Sequence, residues 1–332
     1  MRSVERIGYG RWTLAIAGCA LLAQNGFAQT RRLNPIIELL EQKQPVFGLY
    51  APSNRRTRPG ETAPPNAPAP KTPAQLAADA LGNTTADYIF DGSMEGDYDT
   101  AYRTFAEFVK GMAGVGVVQK TPYLRLHHPL MVKTPEIAPN PKVAGERIAQ
   151  QLNLGVSGIV FVSVESADEV KQGLAMMRFR SKGGTRPDDV GNAPAFWGMS
   201  EQEYREKADL WPLNPNGELI NFTIVESKVG LTNVREIAAV PGIGVLLPGA
   251  GTLRRAFSTT DAAGQRVLDE KGWEAAIQQV LAACKEFKVA CGYPANADDI
   301  ELRMKQGFSV FVIGWGEQGF KAVEIGRKAA ER

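Results

Sequence analysis

The segment from Phe222 to Leu253, FTIVESKVGLTNVREIAAVPGIGVLLPGAGTL, sets a carboxylate where core packing does not want one. An apolar run ends in Glu226. A helical stretch, NVREIAAV, follows it, then a Pro241-Gly242 turn, then a second apolar run leading into Gly249-Ala250-Gly251. Continuous apolar runs joined by a helix read as a β-α-β unit of a parallel sheet covered on both faces. A carboxylate at the C-terminal end of such a strand suits a hard divalent cation, which takes oxygen ligands. The plainer alternative is an ion pair with a neighbouring lysine or arginine.

Three other side chains have chemical potential. Arg125 lies in the run YLRLHH (123–128), read as a strand. An arginine inside an apolar strand is costly unless a carboxylate, either internal or from a ligand, pairs with it. His127 shares a strand face with Arg125 by alternation and is a candidate base or metal ligand, or a bland loop-end histidine. His128 is the other histidine. Glu95 follows the run DYIFDG and is a candidate general base if its surroundings raise its affinity for a proton, or else a solvated loop residue.

The elements that must position these groups alternate. Strand-like runs fall at 45–50, 87–92, 123–128, 158–164, 219–226, 242–249, 288–293 and 308–314. Helical patterns fall between them at 74–81, 99–113, 142–153, 166–175, 230–239, 272–287 and 296–306, with 317–331 closing the chain. Eight alternations predict a closed (β/α)8 barrel of the α/β class. An open doubly wound sheet is the alternative, but no Gly-X-Gly-X-X-Gly follows the first strand. No lysine is expected at a strand end except in mixed loop contexts, so covalent catalysis through a lysine amine is the weaker option.

Composition agrees with a single large domain. The chain has 332 residues, 44% hydrophobic and 22% charged, with a formal charge of +2, which points to no nucleic-acid partner. Arg2, Arg6 and Arg11 flank the run WTLAIAGCALLA, and Gly26-Phe27-Ala28 offers small residues at the −3 and −1 positions. Residues 1–28 therefore read as a secretory signal peptide, with 29–332 as the mature domain, periplasmic or secreted. Lipoprotein processing at Cys19 is the alternative, opposed by the apolar run continuing beyond it. The run is shorter than the roughly 20 residues that span a bilayer, so no membrane span is expected. Cys284 and Cys291 are expected to pack as small apolar side chains, although export permits a disulfide. Residues 52–73 hold seven of the 21 prolines and are expected to be extended or disordered beside the catalytic face. The aromatic stretch 182–217 is expected to be an ordered excursion over that same face.

The pattern around Glu226 resembles the HpcH/HpaI aldolase and citrate lyase family, roughly "IE…N…EIA.VPG.D…iGpaDL". The segments Gly158–Glu169 and Gly184-Thr185-Arg186 track it as well. The resemblance implies a metal-assisted carbon–carbon lyase acting on a 2-oxo-acid aldol or related carboxylate, and a homo-oligomer whose last helix packs on a neighbour. It implies a divalent metal such as Mg²⁺ or Mn²⁺ at Glu226 and at the position of Thr252, where the family has Asp. It places Arg125 on the substrate and sets Glu95 where the family has its catalytic His. Asn153 stands for a family Asp and Ile224 for a family Gln. These departures leave two further readings: a divergent lyase or hydrolase without the family-type metal, or a non-catalytic carboxylate-binding protein.

Overall fold

The computed structural model describes residues 31–54 and 69–332. The proposed signal peptide at 1–28, and 55–68 of the Pro-rich segment, lie outside the described residues.

Eight parallel strands close into a barrel: β1 Val46–Tyr50, β2 Tyr88–Asp91, β3 Leu130–Lys133, β4 Gly158–Phe161, β5 Leu219–Val225, β6 Val245–Pro248, β7 Ala290–Ala295 and β8 Val310–Ile313. Each pairs with its sequence neighbours. The ring closes through Val46 opposite Val310, and the β4–β5 pairing sets Gly158 opposite Ile220. A two-residue strand, Leu210–Trp211, adds to the start of β5.

Alternation along each strand splits the core in two. Val46, Tyr88, Phe90, Met131, Val160, Ile220, Phe222, Ile224, Val245, Leu247, Val310 and Val312 fill the barrel interior. The other parity, with residues such as Phe47, Ile89, Val132 and Leu246, packs under the surrounding helices. Gly48 is obligatory in the interior layer. A Cβ there would lie 2.0 Å from the Tyr88 ring, which crosses the barrel and donates from its hydroxyl to the Phe311 carbonyl at 2.9 Å.

The helix Pro35–Glu41 precedes β1 and plugs the N-terminal end. Its Ile36, Ile37 and Leu39 join the interior layer. Asn34, its N-cap, is tied to Glu218 just before β5: the Asn34 amide N–H donates to the Glu218 carboxylate at 3.0 Å.

The third strand differs from expectation. Residues 123–128 are not in the barrel; Val118-Gln119 and Arg125-Leu126 form a small antiparallel hairpin instead. The barrel strand is the next apolar run, Leu-Met-Val-Lys, after Pro129. Period-two alternation in YLRLHH is a signal for any strand with one wet face, whereas a barrel strand is buried on both faces and reads as an unbroken apolar run.

The 182–217 excursion is ordered, with Trp197 and Tyr204 fully buried, but it packs at the other end from the one expected. It leaves the helix Ala167–Met177 and feeds β5, so topology puts it at the N-terminal end. There Trp197 donates to the Gly155 carbonyl, ahead of β4, at 2.8 Å. The cysteines also depart from expectation. Cys284, late in the helix Glu270–Phe287, and Cys291 in β7 are both buried and joined in a disulfide, their Cα atoms 5.6 Å apart.

Candidate active site

The C-terminal ends of the strands carry one group of polar side chains. Glu226 follows β5 with the parity of Ile224, so it turns toward the barrel axis. It is buried to 6% exposure. Its Oε1 accepts from the Ser163 amide at 3.0 Å and faces the Ser163 hydroxyl at 3.3 Å. Ser163, just past β4, sits at φ 51°, a left-handed conformation that costs a non-glycine residue about 1 kcal/mol or more and here aims both donors at one carboxylate oxygen. Gly249, past β6, leaves room on the other side: a Cβ there would stand 2.5 Å from Glu226 Oε2.

Lys133 ends β3 with the parity of Met131 and likewise faces inward. Its side chain is 14% exposed, and Nζ lies 2.7 Å from Glu95 Oε2. Glu95 closes the short 3-10 turn Ser93–Glu95 after β2. Asp91, the last residue of β2, accepts from the Ser93 amide at 2.9 Å and from its hydroxyl. Tyr50 ends β1 and packs edge-on against Phe90 at 4.9 Å. Burial, the larger effect, raises the Tyr50 phenol above its ordinary value; Lys133 acts against this, and Glu95, Asp91 and Glu226 add to it. All four charged groups thus lie within electrostatic range of this one phenol. Beside Glu95 a cleft of about 310 Å³ opens, lined by Pro135, Asn140, Arg147 and Val162 among others.

Two expected members of the site lie elsewhere. Arg125 pairs with Glu38 of the N-terminal helix at 2.5 Å and donates to the Tyr123 hydroxyl at 3.0 Å. That helix plugs the opposite end of the barrel, so Arg125 is a structural ion pair there. His127 is exposed beside it, its amide donating to the Val117 carbonyl at 2.9 Å. Both misplacements follow from the strand 3 shift. His128 is buried there too, and burial lowers the affinity of its imidazole for a proton. Glu95 and Glu226 are at the mouth, as expected. Thr252 lies beyond β6 in the helix Ala250–Ala256, its hydroxyl accepting from Arg255 at 3.3 Å.

Lys133, Tyr50, Asp91 and Ser163 were not singled out from sequence. Lys133 had a legible signal: a lysine closing an apolar run just before Thr134-Pro135. Asn153 is explained differently as well. Its carboxamide oxygen accepts from the buried Arg186 at 2.9 Å, and its NH₂ donates to Asp189 at 2.7 Å, so that position holds an internal arginine rather than serving the mouth. Arg186 also stacks on Phe179 at 4.3 Å.

The residues present do not fit a family-type metal. One carboxylate oxygen of Glu226 is already engaged by Ser163, and the second position offers the neutral Thr252. Among the described residues no group of three or more His, Cys, Asp and Glu converges as a ligand set. The nearby cation, Lys133, is itself a charge that would repel a metal ion.

Fold and site together define a (β/α)8 barrel with its polar constellation at the C-terminal mouth, the arrangement of an enzyme. The chain belongs to the HpcH/HpaI aldolase/citrate lyase family, whose sequence profile matches residues 115–319. A HpcH/HpaI aldolase/citrate lyase family protein from Burkholderia cenocepacia J2315 is similar in structure, with a TM-score of 0.61 at 20% identity over 90% of this chain and 98% of that one. The HpcH/HpaI aldolase from Desulfitobacterium hafniense DCB-2 gives 0.58 at 14% identity over 84% and 90%. Macrophomate synthase gives 0.56 at 16% identity over 90% and 88%. At such identities these likenesses speak for the fold. No sequence among curated proteins matches the chain.

Proposed function

We propose that this protein is a carbon–carbon lyase acting on a 2-oxo-acid aldol or a related small carboxylate, working without the family-type metal. The observation that carries the reading is the Lys133–Glu95 pair at the barrel mouth, a cation beside a carboxylate base where the substrate must lie. A retro-aldol step needs a positive charge to take up the electron pair of the breaking bond, and a base for the hydroxyl proton. Lys133 supplies the charge in place of Arg125, and Glu95 the base in place of His127. Arg147 brings a guanidinium to the cleft that Glu95 lines, a position suited to the substrate carboxylate.

The protein is exported, in this reading, and the Cys284–Cys291 disulfide supports it, because such bonds persist in oxidising compartments. Mass spectrometry of the mature chain should find Gln29 at its N-terminus. The proposal includes a homo-oligomer, to be checked by light scattering. Among the described residues no helix is long and apolar enough to cross a membrane.

The test is a panel of 4-hydroxy-2-oxo acids and their carboxylate relatives, with release of the oxo acid measured in the presence of chelator and with added Mg²⁺ or Mn²⁺. Cleavage that survives chelator and falls in Lys133→Gln, but not in Arg125→Ala, supports the reading. Activity that needs metal, or that depends on Arg125 and not on Lys133, refutes it. Binding of oxo acids without any cleavage favours the non-catalytic alternative.

A further inference from the structure

Lys133 is more than a charge: it is a primary amine that turns into the barrel mouth from the end of a buried strand. The residue two before it, Met131, is in the fully buried interior layer, so the amine stands on an apolar floor. Its closest partner is a carboxylate within hydrogen-bond distance, 2.7 Å away. An amine nucleophile with a base to take its proton, both at the mouth of a barrel, is the equipment for covalent catalysis on a carbonyl. A purely electrostatic anchor would be served better by arginine, which is always charged and binds carboxylates bidentately.

We propose that Lys133 forms a Schiff base with the 2-oxo group of the substrate, and that the iminium takes the place of a metal as electron sink. The proposal rests on the lyase reading for the nature of the substrate. The Glu95 carboxylate takes a proton from the Lys133 ammonium. The freed nitrogen lone pair adds to the carbonyl carbon while the π pair moves to oxygen, and a proton passes from nitrogen to that oxygen, giving the carbinolamine. Protonated Glu95 returns its proton to the hydroxyl, which leaves as water as the C=N⁺ bond forms. Glu95, a carboxylate again, takes the proton of the aldol hydroxyl. The carbonyl of the departing aldehyde forms, the carbon–carbon bond breaks, and its electron pair becomes the enamine double bond, neutralising the nitrogen. Glu95 then protonates the enamine carbon. Water adds to the iminium in the reverse of the first steps and releases the oxo acid with Lys133 as it began. One water leaves and one returns, and no oxidant or reductant takes part.

Borohydride trapping tests this. The purified chain is incubated with pyruvate, reduced with sodium borohydride, and read by intact mass and peptide mapping. The expected result is a single reduced pyruvyl adduct on the peptide carrying Lys133, formed equally in chelator. Lys133→Arg keeps the positive charge but cannot form the adduct, and should lose both trapping and turnover while its melting curve stays like that of the parent. Glu95→Gln should slow adduct formation. Failure of wild-type protein to trap, or wild-type trapping spread over surface lysines, overturns the proposal without needing a variant; trapping unchanged in a folded Lys133→Arg overturns it as well. Cleavage activity retained in Lys133→Arg overturns the Schiff base and leaves the lyase reading standing. A Lys133 adduct in a protein that cleaves no aldol has the opposite meaning: the Schiff-base site stands and the lyase reading falls.

Discussion

Gly249→Ala is the sharpest test of how the mouth is built. A Cβ at this position would lie 2.3 Å from Glu226 Cβ and 2.5 Å from its Oε2, where carbon atoms in contact prefer about 3.5–4.0 Å. The backbone cannot give way cheaply, because the Gly249 amide donates to the Val225 carbonyl at 2.9 Å, binding β6 to β5 at this level. Because Glu226 Cβ is fixed to its own backbone, β5 and β6 must part locally, and the carboxylate is drawn away from Ser163. Overpacking of a well-filled site costs about 1–3 kcal/mol. Loss of hydrogen bonds to a charged group adds about 1.5–3 kcal/mol. A total of about 4 kcal/mol, the middle of the summed range, corresponds to a fall in melting temperature of roughly 8–16 °C for a domain of this size class. At Gly251, two residues on, an added methyl would meet nothing within 4 Å, and the position lies in a helix, where alanine is favoured by about 0.5–1 kcal/mol. Gly251→Ala should melt at or slightly above the parent. Thermal unfolding of the two variants side by side checks the argument. A Gly249→Ala protein that melts within about a degree of the parent would falsify the packing of Glu226 against Gly249.

Other outcomes follow from the same geometry. Thr252→Asp restores the carboxylate of the family pattern and should raise affinity for Mn²⁺ or Mg²⁺ by titration calorimetry; Glu226→Gln on that background should remove the gain, and tight metal binding in the parent untouched by Glu226→Gln would contradict it. Breaking the Cys284–Cys291 bond, which closes a loop with a sequence separation of 7, should cost about 2.5 kcal/mol, seen as a lower urea midpoint in Cys284→Ala/Cys291→Ala; equal midpoints would show that the bridge adds nothing. His128 is buried, and its imidazole binds protons more weakly in the folded chain than in the unfolded one. Below the ordinary value near 6.5 the unfolded chain therefore takes up more protons, so stability should drop as pH falls through that value and level off below the folded one. Denaturant midpoints at pH 7.5 and 5.5 should show a smaller drop in His128→Leu than in the parent; an equal drop assigns the effect to other groups.

The departures between sequence and structure share one cause. Seven of the eight strands lie within two or three residues of their expected starts, because both-face burial leaves short continuous apolar runs bounded by turn residues. The eighth, β3, directly follows a hairpin whose alternation is the louder strand signal. That single shift moved Arg125 and His127 to the wrong end of the barrel and hid Lys133. The Cys284–Cys291 pairing was equally closed to pattern reading, since it depends on the end of a helix returning beside the strand it feeds.

By itself the sequence determined the class of fold and the mouth position of Glu226 and Glu95, because burial periodicity and strand-end placement are local properties of the chain. Which end of the barrel each loop occupies was decided only by tertiary structure, since it depends on the parity and direction of the strand actually used. The same holds for the convergence of Lys133, Glu95, Tyr50 and Glu226. They come from four strand ends far apart in the chain, and only closure of the barrel brings their charges within reach of one another.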